Sequence, residues 1–197
     1  MLKRVALILA MFVPAFAMAQ DVYQLDSHEI TIKGTSNLQS WSADVEHVEG
    51  DFVLTLEDGL VTEIKNIQFR ADATSIKGSE GRRMDAKIYE TLKTDKHPEI
   101  TFVLREILAL YENPGTARVT SRGVLTLAGV SRVIELQAVG VVLPDGSVKF
   151  SGTHALKMSD FRMSAPTAMF GALRTGDEVE IDFSIILKKD ESISSSM

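Results

Sequence analysis

Few residues in this 197-residue chain could do covalent chemistry, and they are scattered. Asp26, Ser27 and His28 are the three residue types of a hydrolase triad, but consecutive residues in an extended chain point to alternate sides and cannot converge on one reacting atom. The histidines at 28, 47, 97 and 154 have no i, i+4 pairing and no ligand-rich spacing; Asp95 with His97 is the nearest approach to a metal pair. They read as surface histidines. The chain has no cysteine, which removes thiol nucleophiles, thiolate metal sites, haem attachment and disulfides together. Nor does it contain a phosphate-cradling glycine loop. No catalytic residue, metal or cofactor is assigned, and the residues point to a binding protein rather than an enzyme.

Charge narrows the partners. With 21 basic and 27 acidic side chains the chain carries a net charge of −6, and setting aside Lys3 and Arg4 leaves the remainder more acidic still. A nucleic-acid partner would want a basic face, and adhesion to anionic lipid a basic patch. The first nineteen residues read as an export address rather than part of the fold. Lys3 and Arg4 precede an uncharged apolar run from Val5 to Phe16, and Ala17-Met18-Ala19 places small residues where a signal peptidase cuts. The run is too short for a spanning helix. Cleavage after Ala19 and a periplasmic or secreted location are therefore expected, without stable membrane insertion.

The elements that would position a binding site are strands. Val179, Ile181, Phe183, Ile185 and Leu187 alternate with Glu180, Asp182 and Ser184, the period of a strand buried on one face and wet on the other. The same alternation holds for Phe52, Leu54 and Leu56; for Ile67, Phe69 and Ala71; for Ile100, Phe102 and Leu104; for Gly123, Leu125 and Leu127; and for Ile134, Leu136 and Ala138. A parallel sheet covered by helices would show continuous apolar runs instead. Turn sequences such as Glu57-Asp58-Gly59, Asn113-Pro114-Gly115, Ala128-Gly129 and Leu143-Pro144-Asp145-Gly146 separate the runs. About eight or nine antiparallel strands follow, enough for a sandwich or a closed barrel. Residues 20–188 form one domain, and 189–197, polar with a serine run, read as a loose tail.

One segment keeps a different period. Between Ser79 and Thr94, Met84, Ile88 and Leu92 repeat every four residues among charged ones, which predicts a single amphipathic helix in a long connection. Its apolar stripe must cover something, and the barrel or its open end is the only large apolar surface on offer. It either plugs that end or caps a ligand entrance.

Several blocks, in order, resemble the YceI-like family of secreted bacterial proteins. They are Tyr23-x-Leu25-Asp26; Gly34-Thr35-Ser36-Asn37-Leu38 with Trp41; Gly50-x-Phe52; His97-Pro98-Glu99-Ile100-Thr101-Phe102; and Gly123-x-Leu125-Thr126-Leu127-x-Gly129-Val130. Towards the C-terminus come Leu156 to Phe161, Pro166 to Gly171 and Thr175 to Phe183. The resemblance implies an all-β fold, a single antiparallel eight-stranded lipocalin-like barrel, and binding of polyisoprenoid lipid in its interior. On that reading Phe52, Leu54, Phe69, Phe102, Leu125, Leu127, Leu136, Phe150, Phe161, Ile181 and Phe183 line a cavity. Met84, Ile88, Leu92, Met169 and Phe170 form a lid or mouth. Where many members of the family read Arg-x-Asp-Phe-Gly, this chain has Met158-Ser159-Asp160-Phe161-Arg162. Lys157, Arg162 and Arg174 are then the candidate head-group cations, and a neutral quinone-like lipid gains ground on a pyrophosphate.

The ligand expected is thus a long apolar lipid, isoprenoid or quinone-like, sequestered or carried. The alternatives are an envelope stress or scaffolding protein with a solid core and a protein partner, and a lipid-processing enzyme. Oligomeric state is left open, a dimer included.

Overall fold

The structure, a computed structural model, describes residues 21–113 and 115–190. The expected signal peptide and the tail beyond Asp190 lie outside the described residues. In chain order the elements are β1 (Asp21–Ser36), β2 (Ser40–Val45), β3 (Val48–Glu57), β4 (Leu60–Asp72), β5 (Ile76–Gly78), α1 (Arg82–Leu92) and β6 (Glu99–Asn113). They continue with β7 (Thr116–Leu127), β8 (Val130–Val142), β9 (Val148–Lys157), β10 (Thr167–Ala168) and β11 (Leu173–Lys189).

Eight of these close a barrel. Neighbours run β1, β3, β4, β6, β7, β8, β9, β11, and β11 returns to pair with β1, every ladder antiparallel. Closure removes the unpaired edges that an open sheet would expose. Short loops join β3 to β4, β7 to β8 and β8 to β9, whereas β4 reaches β6 through β5 and α1. Asp58 (φ 50°) and Gly59 (φ 75°), like Ala128 (φ 49°) and Gly129 (φ 77°), occupy the left-handed region in pairs, as a two-residue turn matched to the strand twist requires.

β1 changes partners along its length, and this makes the two ends of the barrel differ. Its first residues pair with β3, Tyr23 opposite Phe52, while Thr31 to Thr35 pair instead with β2. β2 in turn carries β5, Ala43 opposite Gly78, so a short side sheet leads directly into α1. At the β3 end the interior is filled by Tyr23, Phe52, Leu54, Val61, Ile64, Val148, Phe150 and Leu187. At the β2 end there are two apolar clusters, one around Phe102, Leu156 and Met158, the other around Ile30, Ala43, Val45 and Ile76 beneath α1, bridged by Ile32, Phe69 and Ile181.

The outer face is charged and paired across strands: Arg122 reaches Glu106 and Glu135 at 2.7 and 2.8 Å, and Lys188 reaches Asp26 at 2.9 Å. Exposed pairs of this kind are screened by solvent and add little, so the interior carries the stability. The last strand runs through Lys189, opposite Tyr23, and the Asp190 amide donates to the Val22 carbonyl at 2.8 Å. Strand pairing thus continues to Lys189.

Candidate functional site

Above the filled end lies a cavity of about 910 Å³. Its walls are the inward faces of the barrel strands, and Phe52, Leu54, Phe69, Phe102, Leu125, Leu127, Leu136, Phe150, Ile181 and Phe183 all stand on them. Phe161 does not. It is 2% exposed and packed with Met158, Met163 and Leu156 behind the wall, because the chain turns in a short 3-10 segment after β9 and tucks the ring beneath it.

A barrel with five phenylalanines facing inwards would ordinarily fill. Here glycines keep it open. Phe150 faces Gly140 across the β8–β9 ladder, and Phe183 faces Gly152 across β9–β11. A Cβ on Gly140 would stand 2.7 Å from the Phe150 ring, and one on Gly152 2.7 Å from the Phe183 ring. Gly123 receives the Phe102 ring in the same way, at 2.3 Å, and Gly34 receives Trp41, at 2.2 Å. Each ring lies against the backbone of the neighbouring strand instead of reaching to the barrel axis.

α1 covers the open side. Its residues Met84, Ile88 and Leu92 line the cavity and pack against the cluster of Ile30, Ala43, Val45 and Ile76, and none is fully buried, so the apolar stripe covers core on one side and borders the hollow on the other. Two side chains hold the helix down: Asp85 accepts the Gly78 amide at 2.7 Å, and the Tyr89 hydroxyl donates to the Ile76 carbonyl at 3.0 Å while accepting from Lys77 at 3.1 Å. At its other end Lys93 donates to the Arg162 carbonyl at 3.2 Å.

The rim runs from α1 through the β1–β2 turn to the segment before β11. Glu80, Arg83, Lys87, Ser36, Gln39, Thr167 and Thr175 supply its polar groups, and Gln39 donates to Glu80. Asn37 ties the turn to the segment beyond β10, donating to the Ala172 carbonyl and accepting the Arg174 amide.

The expected head-group cations are elsewhere. Lys157 points outwards, between the inward Leu156 and Met158, and pairs with Glu178 at 3.6 Å. Arg162 caps the turn after Phe161 in a left-handed conformation and is exposed. Arg174 alternates outwards between the wall residues Leu173 and Thr175, its Nε donating to the Gly171 carbonyl at 3.1 Å. The cations that do border the cavity are Arg83 and Lys87, one helical turn apart on α1. Phe170 does not line the cavity: its side chain is fully exposed to solvent, on a left-handed backbone. The side chain of Met169 lies outside the described residues. Leu38, 71% exposed, is an apolar residue at the rim.

The histidines divide. His28 meets the Val45 carbonyl at 3.2 Å, and the His97 ring covers Gly129. His154 is not the surface residue expected. It follows Phe150 and Gly152 on the inward side of β9, lies opposite Ile181, and lines the cavity. The period of β9 carries that information, but metal-ligand spacing does not look for it.

Titratable carboxylates with lowered pKa hold structure together. Asp177 accepts the Ser159 hydroxyl and amide, which keeps it ionised and fixes the turn after β9 to β11. Asp182 is lowered by hydrogen bonds from Lys33 and Thr153 on the outer face. Among the described residues no group of three His, Asp or Glu comes together to hold a metal, and no helix is long and apolar enough to cross a membrane.

The model of the YceI-like domain matches residues 23–187. A polyisoprenoid-binding domain from Saccharophagus degradans, implicated in plant cell wall breakdown, is similar in structure at 16% identity and a TM-score of 0.65, over 85% of this chain and 98% of that one. BcnA of Burkholderia cenocepacia aligns at 16% identity and a TM-score of 0.61, over 81% and 95% of the two chains. A YceI protein of Campylobacter jejuni aligns at 21% identity and a TM-score of 0.56, over 75% and 84%. At these identities the likeness is one of fold. No curated protein sequence matches the chain.

Proposed function

This chain belongs to the YceI-like domain family, and from that premise we propose that it is an exported binding protein whose barrel holds a long apolar lipid, of isoprenoid or prenylquinone type, in its interior. The cavity carries the reading: about 910 Å³, walled by aliphatic and aromatic side chains and bordered by polar groups at the rim. That volume is near the top of the range of about 300–1,000 Å³ usual for small-molecule pockets. Burying each isoprene unit contributes on the order of 4 kcal/mol gross, at about 0.8 per carbon. Three or four units would therefore outweigh several kcal/mol of association and ordering cost and leave roughly micromolar affinity.

The polyisoprenoid-binding domain with the same fold supports this class of ligand. The neutral end of the class is favoured by Met158, which lines the cavity at the position where the family pattern has arginine. A scaffolding protein with a solid core is the poorer reading, since the rings that would fill the barrel lie against glycines. Export rests on Lys3-Arg4, the apolar run after them and Ala17-Met18-Ala19.

Organic extracts of the protein purified from its native organism, analysed by mass spectrometry, test the proposal. A prenyl lipid near one equivalent per chain is expected, together with a rise in the unfolding temperature of delipidated protein when such a lipid is added. Absence of both would refute it.

A further inference from the structure

Apart from the rim groups and Thr91, whose hydroxyl donates to the Lys87 carbonyl within α1, the described cavity wall is apolar except at two inward positions on the strands, Ser121 and His154. The Ser121 hydroxyl donates to the Leu136 carbonyl at 3.2 Å and is satisfied within the wall. His154 differs. Among the described residues no group hydrogen-bonds with its ring, yet no side-chain nitrogen or oxygen is sealed from solvent without a partner. Its ring nitrogens must therefore keep accessible surface, and on the inward face of β9 that surface belongs to the hollow. Ile181 is its cross-strand partner, and Leu156 is its neighbour on the same face. The ladder between β8 and β9 runs from Val142/Val148 to Val139/Ser151 and stops short of it, so the ring is not crowded by a ladder partner on that side.

Resting on the lipid-binding reading, we propose that His154 is the polar contact of the bound lipid: a neutral imidazole that hydrogen-bonds with a carbonyl or hydroxyl oxygen brought into the barrel. A neutral imidazole offers one N–H donor and one lone-pair acceptor, which suits a quinone carbonyl or a prenol hydroxyl equally. Burial disfavours its charged form and keeps the pKa below the usual histidine value. It is correspondingly a poor partner for a pyrophosphate, whose charges would need cations beside them. The other ionisable wall residues, Glu80, Arg83 and Lys87, belong to α1 and the turn before it. The lipid thus enters with its neutral polar end towards His154, whose accessible ring nitrogens face the hollow where a lipid oxygen would lie.

Binding of a prenyl alcohol and of the hydrocarbon with the same skeleton, by delipidated parent, His154→Leu and His154→Gln, tests this. Circular dichroism and thermal unfolding check that each variant folds. His154→Leu should weaken the alcohol about three- to tenfold, the loss of one neutral hydrogen bond, and leave the hydrocarbon unchanged. His154→Gln, which keeps a donor and an acceptor, should retain most of the preference. Equal changes for alcohol and hydrocarbon, or no change, overturn the role of His154 while leaving the lipid-binding reading intact. A parent that binds neither probe overturns both. A prenyl phosphate that binds more tightly than the alcohol, is indifferent to His154 and is lost in an Arg83→Gln/Lys87→Gln double variant would place the polar end at the rim and overturn the proposal as well.

Discussion

At the scale of single residues the barrel depends on what is missing from its glycines. A Cβ on Gly152 would stand 2.4 Å from the Gln137 carbonyl oxygen and 2.7 Å from the Phe183 ring. The oxygen belongs to backbone and cannot move cheaply. Gly152→Ala is expected to cost about 1–3 kcal/mol, the usual penalty of overpacking, read as a lower midpoint in chemical unfolding. His154 makes a second residue-scale expectation. Its pKa is lowered by burial, so the unfolded chain binds the proton more readily than the folded one. The stability it allows is present above the ordinary histidine pKa of about 6.5 and is lost as pH falls through the depressed folded value. His154→Leu should flatten that loss in delipidated protein. Asp72, Asp145, Asp177 and Asp182, whose pKa values are lowered from an already acidic 3.8, act at more acidic pH and leave this window clear. Unfolding midpoints compared at mildly acid and mildly alkaline pH in both proteins decide it, and parallel curves would count against the assignment.

At the scale of elements α1 is the part most separable from the barrel. It touches the wall through a stripe of three partly exposed apolar residues, and its attachments are few: Asp85 to Gly78, Tyr89 to Ile76 and Lys77, Lys93 to the turn at Arg162. Elements with few buried contacts open at low free energy. Tyr89→Phe removes the hydroxyl from both of its bonds and should lower the local opening free energy by about 0.5–1.5 kcal/mol. Amides of 82–92 should then exchange faster with deuterium while those of β7, deep in the barrel sheet, are unchanged. Uniform acceleration throughout the chain would mean that the helix is an integral part of the fold and not a cover.

At the scale of the whole molecule the question is how a barrel of this size keeps a hollow. One end is packed by Tyr23, Phe52, Leu54 and Leu187, and the other is covered by a helix that leaves space beneath it. Leu136 is a half-buried wall residue facing that space. Leu136→Trp should reduce lipid uptake sharply while lowering the stability of delipidated protein by less than about 1 kcal/mol, whereas the same change in a solid core would cost about 1–3. Lipid stoichiometry and chemical unfolding of the variant measure both. The proposed export makes a separate expectation: native protein should begin at Gln20, which N-terminal sequencing of the periplasmic or secreted fraction checks.

Much of this molecule was legible in the order of its residues. Alternation in the segments around Phe52, Phe69, Phe102, Leu125, Leu136 and Ile181 is local, and it fixes which side of each strand faces the interior. Asp58-Gly59 and Ala128-Gly129 set the hairpins for the same reason, since the conformations they need are properties of two residues. The four-residue repeat of Met84, Ile88 and Leu92 likewise announces α1. How far an inward side chain reaches is not local. Phe150 and Phe183 leave the axis free because Gly140 and Gly152 stand across from them, and that pairing exists only once the strands are in register. The same holds for charge. Lys157, Arg162 and Arg174 are near the cavity in sequence terms but point away, while Arg83 and Lys87 reach its rim because α1 is folded back over it by contacts with β5. His154 lies between these cases. The alternation of β9 places it inwards, but only closure of the barrel surrounds it with apolar wall.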